Sequence, residues 1–111
     1  GHLTPYADLR LDRVLYALRD APELRQFCDQ SLGALIEYDR RTSQNLVATL
    51  EAFFACHGNL SQTAVRLQLH RNSLLYRIGR IQEVGAIDLE DPETRLALQV
   101  ALKARRLLIP L

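Results

Sequence analysis

HGNLSQTAVRLQLHRNSLLYRIGRI, residues 57–81, is rich in helix-forming residues and yet interrupts itself twice. It opens on Gly58-Asn59. A short apolar pattern follows, then a break around Gln68-Leu69-His70, then a second and longer apolar pattern. The run carries four arginines and no acidic residue. A short helix, a tight corner and a longer helix form the helix-turn-helix arrangement. Its packing demands are visible in the residues. Ala64 is small where two helices would approach closely, and Leu67 and Leu69 can wedge the corner. Leu74, Ile78 and Ile81 recur at i, i+4 and i+7, one face of a helix over 70–84. The opposite face carries Asn72, Tyr76, Gly79 and Glu83, with Ser73 and Arg80 beside it. Arg71 and Arg77 flank the apolar stripe.

The flanking sequence reads as helix throughout. Leu11, Val14, Leu15 and Leu18 mark one face of a first helix over 8–20. Ala21-Pro22 breaks it, and Pro22 suits the first turn of the next helix. That helix carries Leu24, Phe27, Cys28, Leu32, Leu35 and Ile36, and Gly33 is a place for a bend or an early end. Arg40-Arg41-Thr42-Ser43 is a polar junction whose Thr42 or Ser43 can cap a third helix. Leu46, Val47, Leu50, Phe53 and Phe54 give that helix its apolar face, and His57-Gly58 should end it. Ser61 is expected to cap the fourth helix, with Leu60 and Val65 spaced as a hydrophobic staple. Gly85 is expected to stop the fifth. Asp91-Pro92-Glu93 reads as cap, first-turn proline and first-turn acid for a sixth helix. Leu96, Val100, Ala104 and Leu107 form its stripe. No strand pattern and no internal repeat is present. The expected fold is all-α, a bundle of about six helices. Residues 1–42 would be an N-terminal helical segment, either a linker or a dimer contact, with Gly1-His2 reading as a tag scar. Residues 43–111 would be the helix-turn-helix domain.

With 111 residues the chain suits one domain with a modest core. Hydrophobic residues make up 48%, which excludes a disordered tail. No apolar run approaches the roughly 20 residues of a membrane span, and no signal peptide is visible. The lack of any methionine implies a piece of a longer protein. Cys28 and Cys56 fall inside apparent helices without zinc spacing, which suits buried free thiols in a cytoplasmic protein. The net charge of +1 is uninformative, but its distribution is not. Residues 1–42 hold six Arg and seven Asp or Glu, giving −1. Residues 43–82 hold four Arg and one Glu, giving +3. Residues 83–111 hold four Lys or Arg and five acids, giving −1. The basic excess is confined to the quoted stretch and its approach, as a polyanion site requires.

The exposed face of helix 70–84 offers the chemistry of a DNA groove. Arginine pairs bidentately with guanine and asparagine with adenine, while hydroxyls and further arginines hold phosphate. Arg71, in the first turn, is the leading base-contact residue, against a plain surface salt bridge. Asn72 can read a base or cap the helix start. Ser73 and Tyr76 suit phosphate, with packing the rival role for Tyr76. Arg77 and Arg80 suit phosphate too, unless they pair with Glu83 or another acid. His70 caps or packs at the helix start and lies within reach of the interface. Leu75 can touch a thymine methyl or a neighbouring subunit. Ser61 and Gln62, at the start of the bracing helix, can meet phosphate, and Ser61 can cap as well. Such a helix contacts only a few base pairs, so double-stranded DNA would be read by a homodimer.

His70-Arg71-Asn72-Ser73-Leu74-Leu75-Tyr76-Arg77-Ile78 resembles the HRNT-L-x-YR-L signature of the PucR/CdaR family of bacterial transcription regulators. Leu46-Val47-Ala48-Thr49-Leu50, Asn59, Ala64, Asp91-Pro92 and the helix from Arg95 to Leu102 fit that family's C-terminal helix-turn-helix domain. Leu32-Gly33-Ala34-Leu35-Ile36-Glu37-Tyr38-Asp39 resembles the segment that precedes it. The likeness covers residues 24–108. It implies an all-helical DNA-binding output domain, a DNA-contacting arginine at position 71, and a larger regulator whose effector, if any, binds elsewhere. The corner pattern is also similar to the helix-turn-helix of the factor for inversion stimulation. Gln68 departs from it, standing where glycine is frequent, and a non-glycine residue there bears the cost of a left-handed backbone.

An enzyme reading finds little. The three histidines have no metal-ligand spacing, no paired carboxylates sit on an apolar face, and no phosphate-binding glycine loop or cofactor motif is present. The rival reading is an all-helical protein-interaction or dimerisation module that does not bind DNA. Salt separates the two, because only a DNA binder loses affinity steeply as salt rises.

Overall fold

The computed structural model describes the backbone of residues 5–108 and the side chains of residues 10–108. It contains six helices: α1 (Pro5–Ala17), α2 (Pro22–Arg41), α3 (Leu46–Ala55), α4 (Leu60–Leu67), α5 (Arg71–Gly85) and α6 (Pro92–Leu108). No strand occurs among the described residues.

Pro22 opens α2, where its missing N–H is one that no helix would bond. Glu23 in the first turn and Arg40 and Arg41 in the last complement the helix dipole. The helix runs through Gly33 without ending, so the expected early stop does not occur. The junction to α3 also differs from expectation. Thr42 and Ser43 do not cap α3. Thr42 Oγ1 donates to the Tyr38 carbonyl (3.0 Å) and accepts from the Gln44 amide (3.3 Å). The α3 amides of Leu46 and Val47 donate instead to the Asp39 carboxylate, at 2.7 and 3.0 Å. A carboxylate carries more charge than a hydroxyl and satisfies two end amides at once. The cap therefore comes from the preceding helix and fixes the angle between α2 and α3.

α3 ends where expected. His57 and Gly58 both take positive φ (56° and 78°), and the Gly58 amide donates to the Phe53 carbonyl at 2.8 Å. The positive φ would strain any side chain at Gly58, and a Cβ there would lie 3.2 Å from the Arg95 guanidinium, which would have to shift slightly. α4 starts earlier than expected. Asn59 is its cap, with Oδ1 accepting from the Gln62 amide at 2.9 Å. Ser61 lies inside the first turn and does not cap. Shifting the cap makes Leu60 the first helical residue and turns Val65 outward, 78% exposed, so no staple forms. At the far end of α5, Gly85 is the last helical residue rather than the stop, and Ala86 takes the left-handed conformation (φ 54°). Gly85 leaves room for Ile87, whose side chain would press at 3.3 Å on a Cβ there. Asp91 caps α6 as expected, accepting from the Thr94 amide (2.9 Å) and hydroxyl (2.8 Å), and these bonds hold its carboxyl below the usual aspartate range.

One core joins Leu32 and Leu35 of α2, Leu46, Val47, Leu50 and Phe53 of α3, Ile81 of α5, Leu89, and Leu98, Ala101 and Leu102 of α6. Helix α2, on the far side of residue 42, thus shares the core of the helix-turn-helix. The α6 stripe is rotated from expectation. Leu98, Ala101, Leu102 and Ala104 are buried, whereas Leu96 and Leu107 are exposed. The amphipathic spacing of α6 admits either face, and the packing partners choose. A smaller cluster of Leu15, Leu24 and Ala104 holds α1. That helix lies three residues upstream of the expected span. Of the four apolar residues expected on one face, only Leu15 is buried (3% exposed), while Leu11, Val14 and Leu18 are exposed. An ion pair between Asp12 and Lys103 at 3.1 Å adds a second tie to α6. Cys28 is half-buried and Cys56 buried, and neither forms a disulfide.

Candidate nucleic-acid interface

α4 and α5 pack against each other, and each has a buried residue that suits that contact, Ala64 in α4 and the fully buried Leu74 in α5. The corner is closed by Gln68, which takes the left-handed conformation (φ 56°) in spite of its side chain. The Leu69 amide donates to the Ala64 carbonyl at 2.9 Å and the Gln68 amide to the Val65 carbonyl at 3.1 Å. The chain therefore adopts the corner that glycine would make easily, and bears the steric cost that the sequence implied. His70 follows as the cap of α5, its Nδ1 accepting from the Asn72 amide at 3.1 Å. That bond settles which residue caps. The Asn72 carboxamide is not spent on the helix start.

The first turns of α5 are exposed at Arg71, Asn72, Ser73, Leu75 and Tyr76, with His70 exposed before them. Leu75 is 41% and Tyr76 56% exposed. Ser61 and Gln62 of α4 are exposed as well. Among the described residues, the guanidinium groups of Arg66 and Arg71 have no hydrogen-bond or ion-pair partner. The structure thus brings Asn72, Ser73 and Tyr76 together along one cleft with Arg77, and leaves Arg71 exposed in the first turn of α5, where helix amides and dipole favour an anion.

Arg77 and Arg80 differ from these. Both are half-buried. Arg77 donates a long hydrogen bond (3.4 Å) to Thr49 Oγ1, and that hydroxyl donates to the Asn45 carbonyl at 2.9 Å. Thr49 is fully buried and so couples the start of α3 to the middle of α5. Arg80 donates to the Tyr38 hydroxyl (3.2 Å) and to Glu83 (2.7 Å), and lies 5.0 Å from the Tyr38 ring centre. The hydrogen bond to Tyr38, then that to Glu83, raises its pKa. The pairing with Glu83 was one of the two readings open from sequence, and it is the arrangement observed.

Sequence reasoning missed Tyr38, Asp39 and Thr49 as the residues that hold this surface in place. Tyr38-Asp39 stood in a segment noted only for its resemblance. Thr49, a hydroxyl within an otherwise apolar run, was the visible signal for a buried polar link. Among the described residues no group of three His, Cys, Asp or Glu could hold a metal ion. No helix there is long and apolar enough to cross a membrane.

A short bracing helix, a left-handed corner and a longer helix with an exposed, basic first half define a helix-turn-helix protein. Residues 46–104 match the family described as the PucR C-terminal helix-turn-helix domain, and the chain belongs to that family. It is similar to the purine catabolism regulatory protein of Bacillus subtilis, 34% identical over 103 residues, covering 85% of this chain and 19% of that protein. The DNA-binding transcriptional activator AdeR of Bacillus subtilis is 29% identical over 106 residues, covering 96% of this chain and 25% of that protein. The proline-responsive transcriptional activator PutR of the same organism is 33% identical over 97 residues, covering 87% of this chain and 24% of that protein. The chain spans 19–25% of the length of these three relatives. No solved structure gives a significant match.

Proposed function

We propose that this chain is the DNA-binding output domain of a bacterial transcription regulator, and that it lays α5 in the major groove while α4 braces it across the backbone. The observation that carries this reading is the exposed first half of α5. Arg71, Asn72, Ser73 and Tyr76 are all exposed there, Asn72, Ser73 and Tyr76 line one cleft with Arg77, and the run from 61 to 82 is free of acid. Arg71 has no partner to surrender, which suits a bidentate contact to guanine. With His70 as cap, the Asn72 carboxamide is available for adenine. Ser73 and the Tyr76 hydroxyl suit phosphate, and Leu75 a thymine methyl. Because Asn59 caps α4, the Ser61 hydroxyl and Gln62 are left to meet the backbone. Arg77 serves as a phosphate contact braced by Thr49. Arg80 reaches phosphate by exchanging Glu83 for it while keeping Tyr38.

The working unit in this reading is a homodimer in the cytoplasm, with two copies of α5 about 34 Å apart on successive turns of a two-half-site duplex. The exposed Leu11 and Val14 of α1, with Leu18 in the turn after it, support a subunit contact there. Any effector would act through parts of the regulator other than these residues. The same exposed leucines favour the second reading, a module that binds protein rather than DNA. Selection of bound duplexes from a random pool, followed by titration of the winner at two ionic strengths, separates them. The DNA reading expects enrichment of a motif and weaker binding at higher salt, whereas a protein-binding module would enrich nothing.

A further inference from the structure

Beside the first half of α5 lies a cleft of about 430 Å³ between that helix and the turn that leads into α3. Its lining is Ser43 and Gln44 from the turn and Asn72, Ser73, Tyr76 and Arg77 from α5. The volume falls within the range of small-molecule pockets, roughly 300–1,000 Å³, but the lining does not suit one. It contains no aliphatic side chain and no acid. Every residue in it offers a hydroxyl, an amide or a guanidinium. Hydrogen-bond donors around one cation are the chemistry of a phosphodiester seat.

Two further features bear on the turn. The Asp39 carboxylate already occupies the first amides of α3, so attraction for an anion here comes from Arg77 and the side-chain donors rather than from the α3 terminus. The turn is also held rigidly. Thr42 bonds at both its hydroxyl lone pair and its proton, and the Arg77–Thr49–Asn45 chain ties α5 to the end of the same turn. Ser43 is exposed, and the Gln44 carboxamide oxygen is buried with no hydrogen-bond partner, so no internal bond fixes that amide. A prepositioned turn beside an anchored arginine loses little backbone freedom when an anion arrives, and its uncommitted amide and hydroxyl give up no internal bond to receive it.

We propose that Ser43 and Gln44, with Arg77, form a third contact to DNA that seats one backbone phosphodiester next to the bases faced by Asn72 and Ser73. The proposal rests on the DNA reading and adds to it. It assigns a positioning role to a turn outside the helix-turn-helix, one that sets the register of α5 in the groove without reading sequence.

The test uses the whole 111-residue chain and the duplex that it selects from a random pool. Each phosphate of that duplex is replaced in turn by an uncharged methylphosphonate. One linkage per half-site should weaken binding by about tenfold, as loss of a hydrogen-bonded charge does. In the double variant S43A/Q44A that same linkage should cost clearly less, while the cost at every other linkage is unchanged. Gln44→Glu, which places a carboxylate in the cleft, should weaken binding more than Gln44→Ala. Melting curves of the alanine variants should stay close to the parent's, because Ser43 is exposed and removing the Gln44 carboxamide breaks no hydrogen bond. If the variants bind as the parent does, or bind more weakly with the linkage profile unchanged, the phosphate seat is wrong and the DNA reading stands. If the parent selects no duplex and binds none at low salt, the DNA reading falls and the seat with it.

Discussion

The two halves of α5 share one helix and differ in almost everything else. From Arg77 onward the helix is tied to the bundle. Ile78 packs on the core, Ile81 is fully buried in it, Arg77 leans on Thr49, and Arg80 is taken by Tyr38 and Glu83. From Arg71 to Tyr76 only Leu74 is buried, and the polar groups have solvent for a partner. The second half fixes the helix to the bundle so that the first half can stand out from it. Recognition surfaces held on a rigid element are positioned at little entropic cost on binding. The difference predicts that apolar substitutions in the second half cost stability and substitutions in the first half cost binding, with Arg77 and Arg80 at the border contributing to binding through phosphate.

The largest effect should come from Ile81→Ala. Emptying a fully buried site of this kind costs about 2–5 kcal/mol, and urea denaturation should read that loss directly. An unfolding midpoint equal to the parent's would mean that α5 is not anchored there. Ala64→Leu comes next. Overpacking the contact between α4 and α5 should cost about 1–3 kcal/mol, visible as a lower melting temperature, and an unchanged melt would remove Ala64 from that contact. Arg71→Ala should leave the melt within about 0.5 kcal/mol of the parent, as surface changes do. It should instead remove about 1–3 kcal/mol of discrimination between the selected duplex and random DNA. Arg80→Ala should weaken both duplexes alike. Equal losses on the two duplexes for both variants would erase the proposed division of roles.

Two smaller effects sharpen the picture of the framework. Gln68→Gly should stabilise the protein by about 1 kcal/mol, because glycine adopts the left-handed corner without a Cβ clash. A destabilised variant would show that the Gln68 side chain contributes more than its backbone costs. Asp91 supplies the weakest signal. Its folded pKa lies below the ordinary aspartate value, so its cap contributes fully at neutral pH and is lost only as acid protonates it. Asp91→Ala should therefore lower the melting temperature at pH 7 and make little difference well below the ordinary aspartate range. A deficit that persisted in strong acid would point to lost packing rather than a lost cap.

Much of this was legible in the sequence, and the misses have a common cause. The periodicities of Leu74, Ile78 and Ile81 and of Leu46, Val47, Leu50 and Phe53 located α5 and α3 because each has one apolar face to bury. The turn at His57-Gly58 and the Asp91-Pro92 start were equally plain, since both rest on local backbone chemistry. The caps of α3 and α4 were misplaced because Asp39 acts across seven residues, and because Asn59 competes with Ser61 for one role. Choice among nearby polar residues depends on the path of the chain, which composition does not specify. The α6 stripe was misplaced for a related reason, and the α1 stripe, open from sequence between a core face and a subunit contact, is left mostly outward. Leu11, Val14, Leu18, Leu96 and Leu107 satisfy a helical pattern, yet the helix partners bury a different line. On the candidate interface, sequence supplied the residue types at 71–76. It did not supply the buttress of Tyr38, Asp39 and Thr49, which exists only once α2, α3 and α5 are brought together.

The central claim is that the exposed half of α5 meets a polyanion, and its most direct test is the salt dependence of binding to the selected duplex. Log affinity should fall linearly with log salt, with a slope of about −0.9 for each phosphate neutralised. Replacing Arg77, which borders that half and lines the cleft with Asn72, Ser73 and Tyr76, by glutamine should make that slope shallower by about one contact. An affinity that ignores salt across the titration would contradict the account.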